Sequence, residues 1–203
     1  MSEHLVFTVV VVGVAATIAL PVGVVIGHTR RGTTLVSAAT GAARAMPTLG
    51  LLTLLGLGLG IGLVAPAIAL IVLASPSLLA GAYAGVQSVD RQTVDAARAM
   101  GMSEPAIIRT VELPLAAPLI LGGLRSATLQ VVATATLAAY TSNTGLGRYI
   151  FAGLKGREYA ELIGGSALIV ALALLLDGIF ALVQRVTLRD PHRLPVTTER
   201  HHP

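Results

Sequence analysis

The side chains able to do chemistry are few. Among 203 residues there are 10 Asp and Glu, 14 Lys and Arg, five His and no Cys. Without cysteine there is no disulfide, thiolate metal site or thiol nucleophile. His4, His28, His192, His201 and His202 all lie outside the long apolar blocks, so a haem or metal ion buried among those blocks has no evident ligand. An intramembrane serine protease needs a His at membrane depth. A metal-dependent transferase needs several facing Asp, and the blocks offer only Asp177. The densest charge lies elsewhere, in residues 85–114: Asp90, Arg91, Asp95, Arg98, Glu104, Arg109 and Glu112. Such a mixture of signs suits helix caps, ion pairs and docking.

The spacing within 85–114 predicts two short helices with an elbow. Asp90 can cap a first helix, Gln92 to Met100, which holds an Asp95/Arg98 pair three residues apart. Gly101 falls where a left-handed residue ends a helix. Ser103 can cap the second helix, with Glu104 near its positive end and Pro105 in its first turn. Leu113-Pro114 should stop that helix and begin the next apolar block. A rigid helix–glycine–helix of this kind can dock on a soluble partner and carry its motion onward.

The elements around the elbow are membrane spans. Only 12% of residues are charged and 54% are apolar, whereas a soluble domain carries roughly 25% charged residues. The expected fold is an all-α membrane protein with five transmembrane helices, about 5–27, 33–60, 63–83, 115–139 and 159–183, and a short tail, 184–203. The first block would reach about 34 Å, enough for a hydrocarbon core of roughly 30 Å. Its flanks do not read as a cleavable signal, since Met1 to His4 hold no Lys or Arg. If five spans alternate, Arg30, Arg31, Arg91, Arg98, Arg109 and the arginines of the tail share one side. The positive-inside bias makes that side cytoplasmic and places the N-terminus outside and the C-terminus inside. Arg148, Lys155 and Arg157, in the external connection 140–158, run against the bias. The pI near 10.1 reflects a net charge of only +4, and no basic face with interleaved aromatics points to nucleic acid.

At the elbow the sequence resembles a known family. Asp95-Ala96-Ala97, three residues, Gly101, nine residues, then Val111-Glu112-Leu113-Pro114 is similar to the EAA-x3-G-x9-I-x-LP signature of binding-protein-dependent ABC importer permeases, with Asp for Glu and Val for Ile. The resemblance implies that 85–114 is a cytoplasmic coupling loop in which Asp95, Ala96, Ala97, Gly101, Met102, Val111, Leu113 and Pro114 engage an ABC ATPase dimer. It further implies an extracytoplasmic substrate-binding protein, a second permease copy or sister permease, a lipid bilayer in the cell membrane, no cofactor and no catalysis by this chain.

A narrower resemblance, to osmoprotectant permeases importing glycine betaine, carnitine and choline, covers most of the chain. It rests on Ala45-Met46-Pro47-Thr48-Leu49-Gly50-Leu51-Leu52, on Ala133-Thr134-Ala135-Thr136-Leu137-Ala138-Ala139, and on Gly145 to Leu154. Thr141-Ser142-Asn143-Thr144 replaces a glycine-rich start, and Arg44 stands where a neutral polar residue is more usual. Met46, Pro47, Thr48, Thr134 and Thr136 are thereby candidates for the pathway or a gate. Gly145, Gly147, Tyr149 and Phe151 are candidates for an external lip. Permeases for another small solute, such as methionine or another amino acid, and a small polytopic enzyme are the alternatives. A secondary transporter would need inverted repeats, which are not visible.

Aromatics make up 3% of the chain and none is Trp. A quaternary ammonium group held by an aromatic cage would therefore be recognised chiefly by the external binding protein. Pro47 reads as a kink or gate, and Pro21 and Pro76 as tolerated membrane prolines. Gly56, Gly58, Gly60 and Gly62 suit an external turn better than GxxxG packing. Arg125 and Asp177 suit an ion pair between helices at least as well as a translocation role.

Overall fold

A computed structural model describes residues 1–187, apart from the side chains of Thr33, Leu35, Ser37, Ala39, Ala43 and Arg44. Most of the tail, with His192, His201 and His202, lies outside the described residues. The chain is all helical within them. The helices are α1 (Ser2–Thr29), α2 (Thr33–Ala45), α3 (Thr48–Leu59), α4 (Val64–Gln87), α5 (Arg91–Ala99) and α6 (Glu104–Ile107). A π-turn, Ile108–Glu112, leads into α7 (Leu113–Thr134). A 3₁₀ turn, Ala135–Ala138, then α8 (Ala139–Ser142), α9 (Gly147–Gly156) and α10 (Tyr159–Thr187) complete it.

Four helical stretches are long and apolar enough to cross a membrane: Ser2–Thr29, Val64–Gln87, Glu104–Ser142 and Tyr159–Thr187. They coincide with four of the five apolar blocks. The block at 33–60 is instead two helices. Met46 and Pro47 are both extended, with ψ of 127° and 116°, because a residue before proline is pushed out of the helical region and proline itself donates no hydrogen bond. What the sequence suggested as a kink is a full break, leaving α3 as an apolar helix of only 12 residues. Residues 60–63 then turn the chain through Gly60 and Gly62, both at positive φ, as expected of a turn.

The expected stop at Leu113-Pro114 is also corrected. The helix runs from Glu104 through Pro114 to Ser142. The π-turn absorbs the proline: it widens the hydrogen-bond ring to i→i+5, with Leu113 N–H donating to the Ile108 carbonyl. This relieves the clash a proline ring makes with an α-helical neighbour.

Packing follows the rules of a lipid solvent. Apolar side chains gain little by leaving lipid for protein, so close contact of small residues decides which faces meet. The central cluster joins α1 (Val11, Ala15, Ala19), α4 (Leu70, Ala74, Leu78) and α7 (Ala127, Val131). At the α4–α7 crossing, a β-carbon on Gly81 would lie 2.8 Å from the Gly123 Cα, so only glycine permits it. The large side chains point outward instead: Val6, Val9 and Ile18 on α1 and Leu168, Leu174 and Leu182 on α10 are exposed. α9 and α10 pack on the far side of α7 through Val132, Leu146, Ile169 and Leu172. The Arg125 guanidinium fastens α7 to α10 by a two-pronged bond to Asp177, Nε–Oδ1 2.7 Å and Nη2–Oδ2 2.8 Å.

Candidate functional site

The elbow is built as a self-supporting unit. The Asp90 carboxylate accepts from the Gln92 N–H at 3.0 Å and starts α5. The helix ends in a Schellman motif: Met102 N–H donates to the Ala97 carbonyl and Gly101 N–H to the Arg98 carbonyl. Gly101 sits at φ +83°, a region a β-carbon disfavours. Ser103 occupies the N-cap of α6 but makes no side-chain cap bond. Beneath the bend, Val89, Val94, Ala97 and Ile107 form a small apolar core with Met102 and Val111 against it.

The residues singled out by the sequence therefore divide into two groups. Ala97, Met102 and Val111 hold the elbow together. Asp95, Ala96 and Gly101 face outward, as does Met100, an apolar side chain 76% exposed at the bend. Leu113 is half-buried and Pro114 exposed at the start of α7.

An ion network ties this unit to its surroundings. Arg98 bridges the two short helices, donating to Glu104 at 2.7 and 3.0 Å and to Asp95 at 2.9 Å. Its hydrogen bonds to Glu104, more than desolvation opposes, hold the Glu104 carboxyl below the ordinary carboxylate range. Glu104 also meets His28 Nε2 at 3.0 Å, and His28 Nδ1 lies 2.7 Å from Glu112. The Glu112 side chain is only 5% exposed. A cavity of about 440 Å³ opens beside the network, lined by Arg30, Arg31, Arg91 and Asp95 among others. Sequence reading assigned no role to His28 or Glu112. They stand 84 positions apart, and the one available signal was a lone acid in the Val111 to Pro114 run.

The pathway candidates are brought together only in part. Thr48 and Thr134 line one small cavity with Leu52, Pro66 and Ala69. Thr136 is not among its lining residues and bonds the Ala133 carbonyl within its own turn. Met46 and Pro47 lie exposed at the break between α2 and α3.

At the end of the bundle opposite the elbow, the lip candidates also separate. Gly145 is at φ +76° and its N–H donates to Glu3 at 3.3 Å. Gly147 packs directly on the Thr136 carbonyl, where any β-carbon would collide. Tyr149 packs against the Val132–Leu172 cluster and its hydroxyl accepts from Arg148. Phe151 instead faces Tyr140, with ring centroids 6.0 Å apart. The two rings, Arg148 and Lys155 line an open cavity of about 800 Å³ that has no acidic side chain in its wall.

Elbow, long apolar helices and small-residue crossings together make an all-helical membrane protein with a capped helical projection at one end. Residues 19–189 match the family described as binding-protein-dependent transport system inner membrane component. The chain belongs to this family and is an inner-membrane permease. It is 31% identical over 183 residues to the choline transport system permease protein OpuBB of Bacillus subtilis, covering 90% of this chain and 84% of that one. It is 30% identical over 190 residues to the osmoprotectant import permease protein OsmW of Salmonella typhimurium, covering 91% and 88%. Among solved structures, an inward-facing form of the MetNI methionine ABC transporter is similar with a TM-score of 0.79 and 26% identity, over 91% of this chain and 93% of that one.

Proposed function

We propose that this chain is the permease subunit of an ATP-driven importer of osmoprotectants such as glycine betaine, carnitine, choline or proline betaine. In this reading the chain crosses the membrane five times, with 33–60 crossing as the broken pair α2 and α3. The N-terminus faces outside, and both the elbow and the tail from about 184 face the cytoplasm. A dimer of separate ATPase subunits hydrolyses ATP and grips the two elbows of a paired permease, either a second copy or a sister chain. An extracytoplasmic binding protein delivers the solute to the opposite end.

The observation that carries this reading is the elbow. Its Schellman-capped bend presents Ala96, Met100 and Gly101 outward while Ala97, Met102 and Val111 lock it from within. A rigid tip continuous with a 39-residue helix delivers a push from a docked partner along α7 without dissipating it in a loop.

The cavity at the other end supports the substrate class. Glycine betaine and carnitine, zwitterions with a quaternary ammonium and a carboxylate, find aromatic faces in Tyr140 and Phe151 and cations in Arg148 and Lys155. Choline, without a carboxylate, finds only the aromatic faces. The relatives named for choline and osmoprotectants support the same class.

Reconstitution with the ATPase and binding protein tests both parts. ATP-driven uptake of labelled glycine betaine is expected, and Gly101→Pro should abolish it, because proline cannot adopt φ +83°. Uptake that survives this change at normal expression overturns the coupling role of the elbow. Uptake of methionine in preference to betaine overturns the substrate.

A further inference from the structure

We propose that His28 is a positioning residue that makes α1 move with the elbow, so that the push of the ATPase reaches two long helices and not α7 alone. The inference rests on the coupling reading of the elbow given above.

His28 lies one residue from the end of α1, with a side chain only 11% exposed. Its two ring nitrogens face two different carboxylates, Nε2 to Glu104 at 3.0 Å and Nδ1 to Glu112 at 2.7 Å. One ring nitrogen faces each carboxylate, so the ring bridges Glu104 and Glu112. Glu104 opens α6 and is itself gripped by Arg98 of α5. Glu112 closes the π-turn that feeds α7. One imidazole thus connects α1 to α5, α6 and the start of α7.

The next residues strengthen the junction. The Arg30 guanidinium donates to the Gln87 and Val89 carbonyls at 3.3 and 3.4 Å, joining the end of α1 to the end of α4. Further along, α1 and α4 lie so close that a β-carbon on Gly23 would stand 2.7 Å from the Ala82 Cβ. Packed helices of this kind translate as a block. Without His28, α1 would be joined to the elbow only indirectly, through its packing on α4 and α7 and through the Arg30 bonds.

A purely structural account is that His28 neutralises a buried Glu112. The two accounts separate in the complete transporter of permease, ATPase and binding protein. The double variant His28→Asn/Glu112→Gln buries no unpaired charge, so it remains testable if His28→Asn alone fails to fold. In the double variant, ATP hydrolysis stimulated by the loaded binding protein should persist. Solute moved per ATP should fall at least about fivefold, the lower bound of typical coupling between linked sites. His28→Lys, whose single donor group reaches one carboxylate, should recover part of the ratio. Uptake and hydrolysis falling together, or neither changing, overturns the proposal.

A second measurement does not depend on the solute. The chain has no cysteine, so spin labels on Val25→Cys of α1 and Gln92→Cys of α5 report alone. Their distance should stay constant between nucleotide-free and ATP-bound complexes in the parent and change in the double variant. A parent distance that shifts with ATP overturns the proposal. Constant distance in a complex that fails to import osmoprotectants leaves α1 coupled and overturns only the substrate reading.

Discussion

Two histidines on one helix show how differently the ends of this molecule are joined. His4 and His28 sit near opposite ends of α1, and both are buried or nearly so. His4 meets only backbone: its Nε2 lies 2.9 Å from the Val132 carbonyl, and its Nδ1 accepts from the Leu146 N–H at 3.4 Å. One nitrogen donates and the other accepts, which is a neutral imidazole. His28 meets two carboxylates and no backbone. The His4 junction is set by main-chain positions and rearranges only if the chain around Leu146 moves. The His28 junction is a hub among side chains, whose partners can shift together while staying paired. Under the proposed orientation and coupling, the rigid joint is the one at His4 and the working joint is the one at the elbow.

The largest test of this contrast is at the outer end. Gly147→Leu drives a side chain into the Thr136 carbonyl, and overpacking of this kind typically costs about 1–3 kcal/mol, more against backbone. Loss of folded protein, read as a lower melting temperature in detergent, is expected. His4→Leu should be next. It leaves the Leu146 N–H without its His4 partner and takes the His4 donor from the Val132 carbonyl, and a buried group left unsatisfied costs about 1–3 kcal/mol. Melting should fall while solute moved per ATP stays unchanged, the reverse of the His28 variants. A changed ratio would erase the distinction between the two joints.

Smaller effects sharpen the elbow side. Asp90→Ala removes the cap on α5, which costs about 1 kcal/mol and should appear as faster amide exchange over 92–95. The weakest effect is of pH. The Glu104 carboxyl is held low by Arg98, so its pairing helps hold the elbow above the ordinary carboxylate range and is lost only as pH falls through its depressed folded value. ATPase affinity should thus be flat through the ordinary carboxylate range and weaken below it. Glu104→Gln should remove that acid limb and weaken binding at neutral pH.

Hydropathy made the four long helices legible, because a block of some 20 apolar residues has few alternatives to a span. The elbow was legible for another reason: Asp90, Gly101 and Pro105 are local signals that act within one or two turns. Local signals also misled. Pro47 gives a break, because Met46 before it is forced extended, and Pro114 gives no stop, because the π-turn absorbs it. The glycines of residues 56–62 drew attention through their spacing, yet a β-carbon on Gly58, Gly60 or Gly62 would meet open space. Crossings that need glycine lie elsewhere, at Gly23, Gly81 and Gly123 among others, whose partners lie far along the chain. The Arg125–Asp177 pair could be proposed because both charges were conspicuous in apolar blocks. The His28–Glu112 bond could not, because both residues sat in polar stretches where charge is ordinary.

The π-turn at Ile108–Glu112 also sets an angle. Each residue of an α-helix turns the chain by about 100° and advances it about 1.5 Å. Holding one extra residue in a widened ring therefore fixes the azimuth at which the elbow leaves the axis of α7. Were the ring to tighten to an ordinary α-turn, the tip would swing around that axis like the hand of a clock, and Glu112 would be aimed away from α1. The orientation of the whole tip thus depends on a single turn of backbone next to a proline, and a one-residue deletion between Ile108 and Glu112 would misalign it while leaving every docking side chain in place.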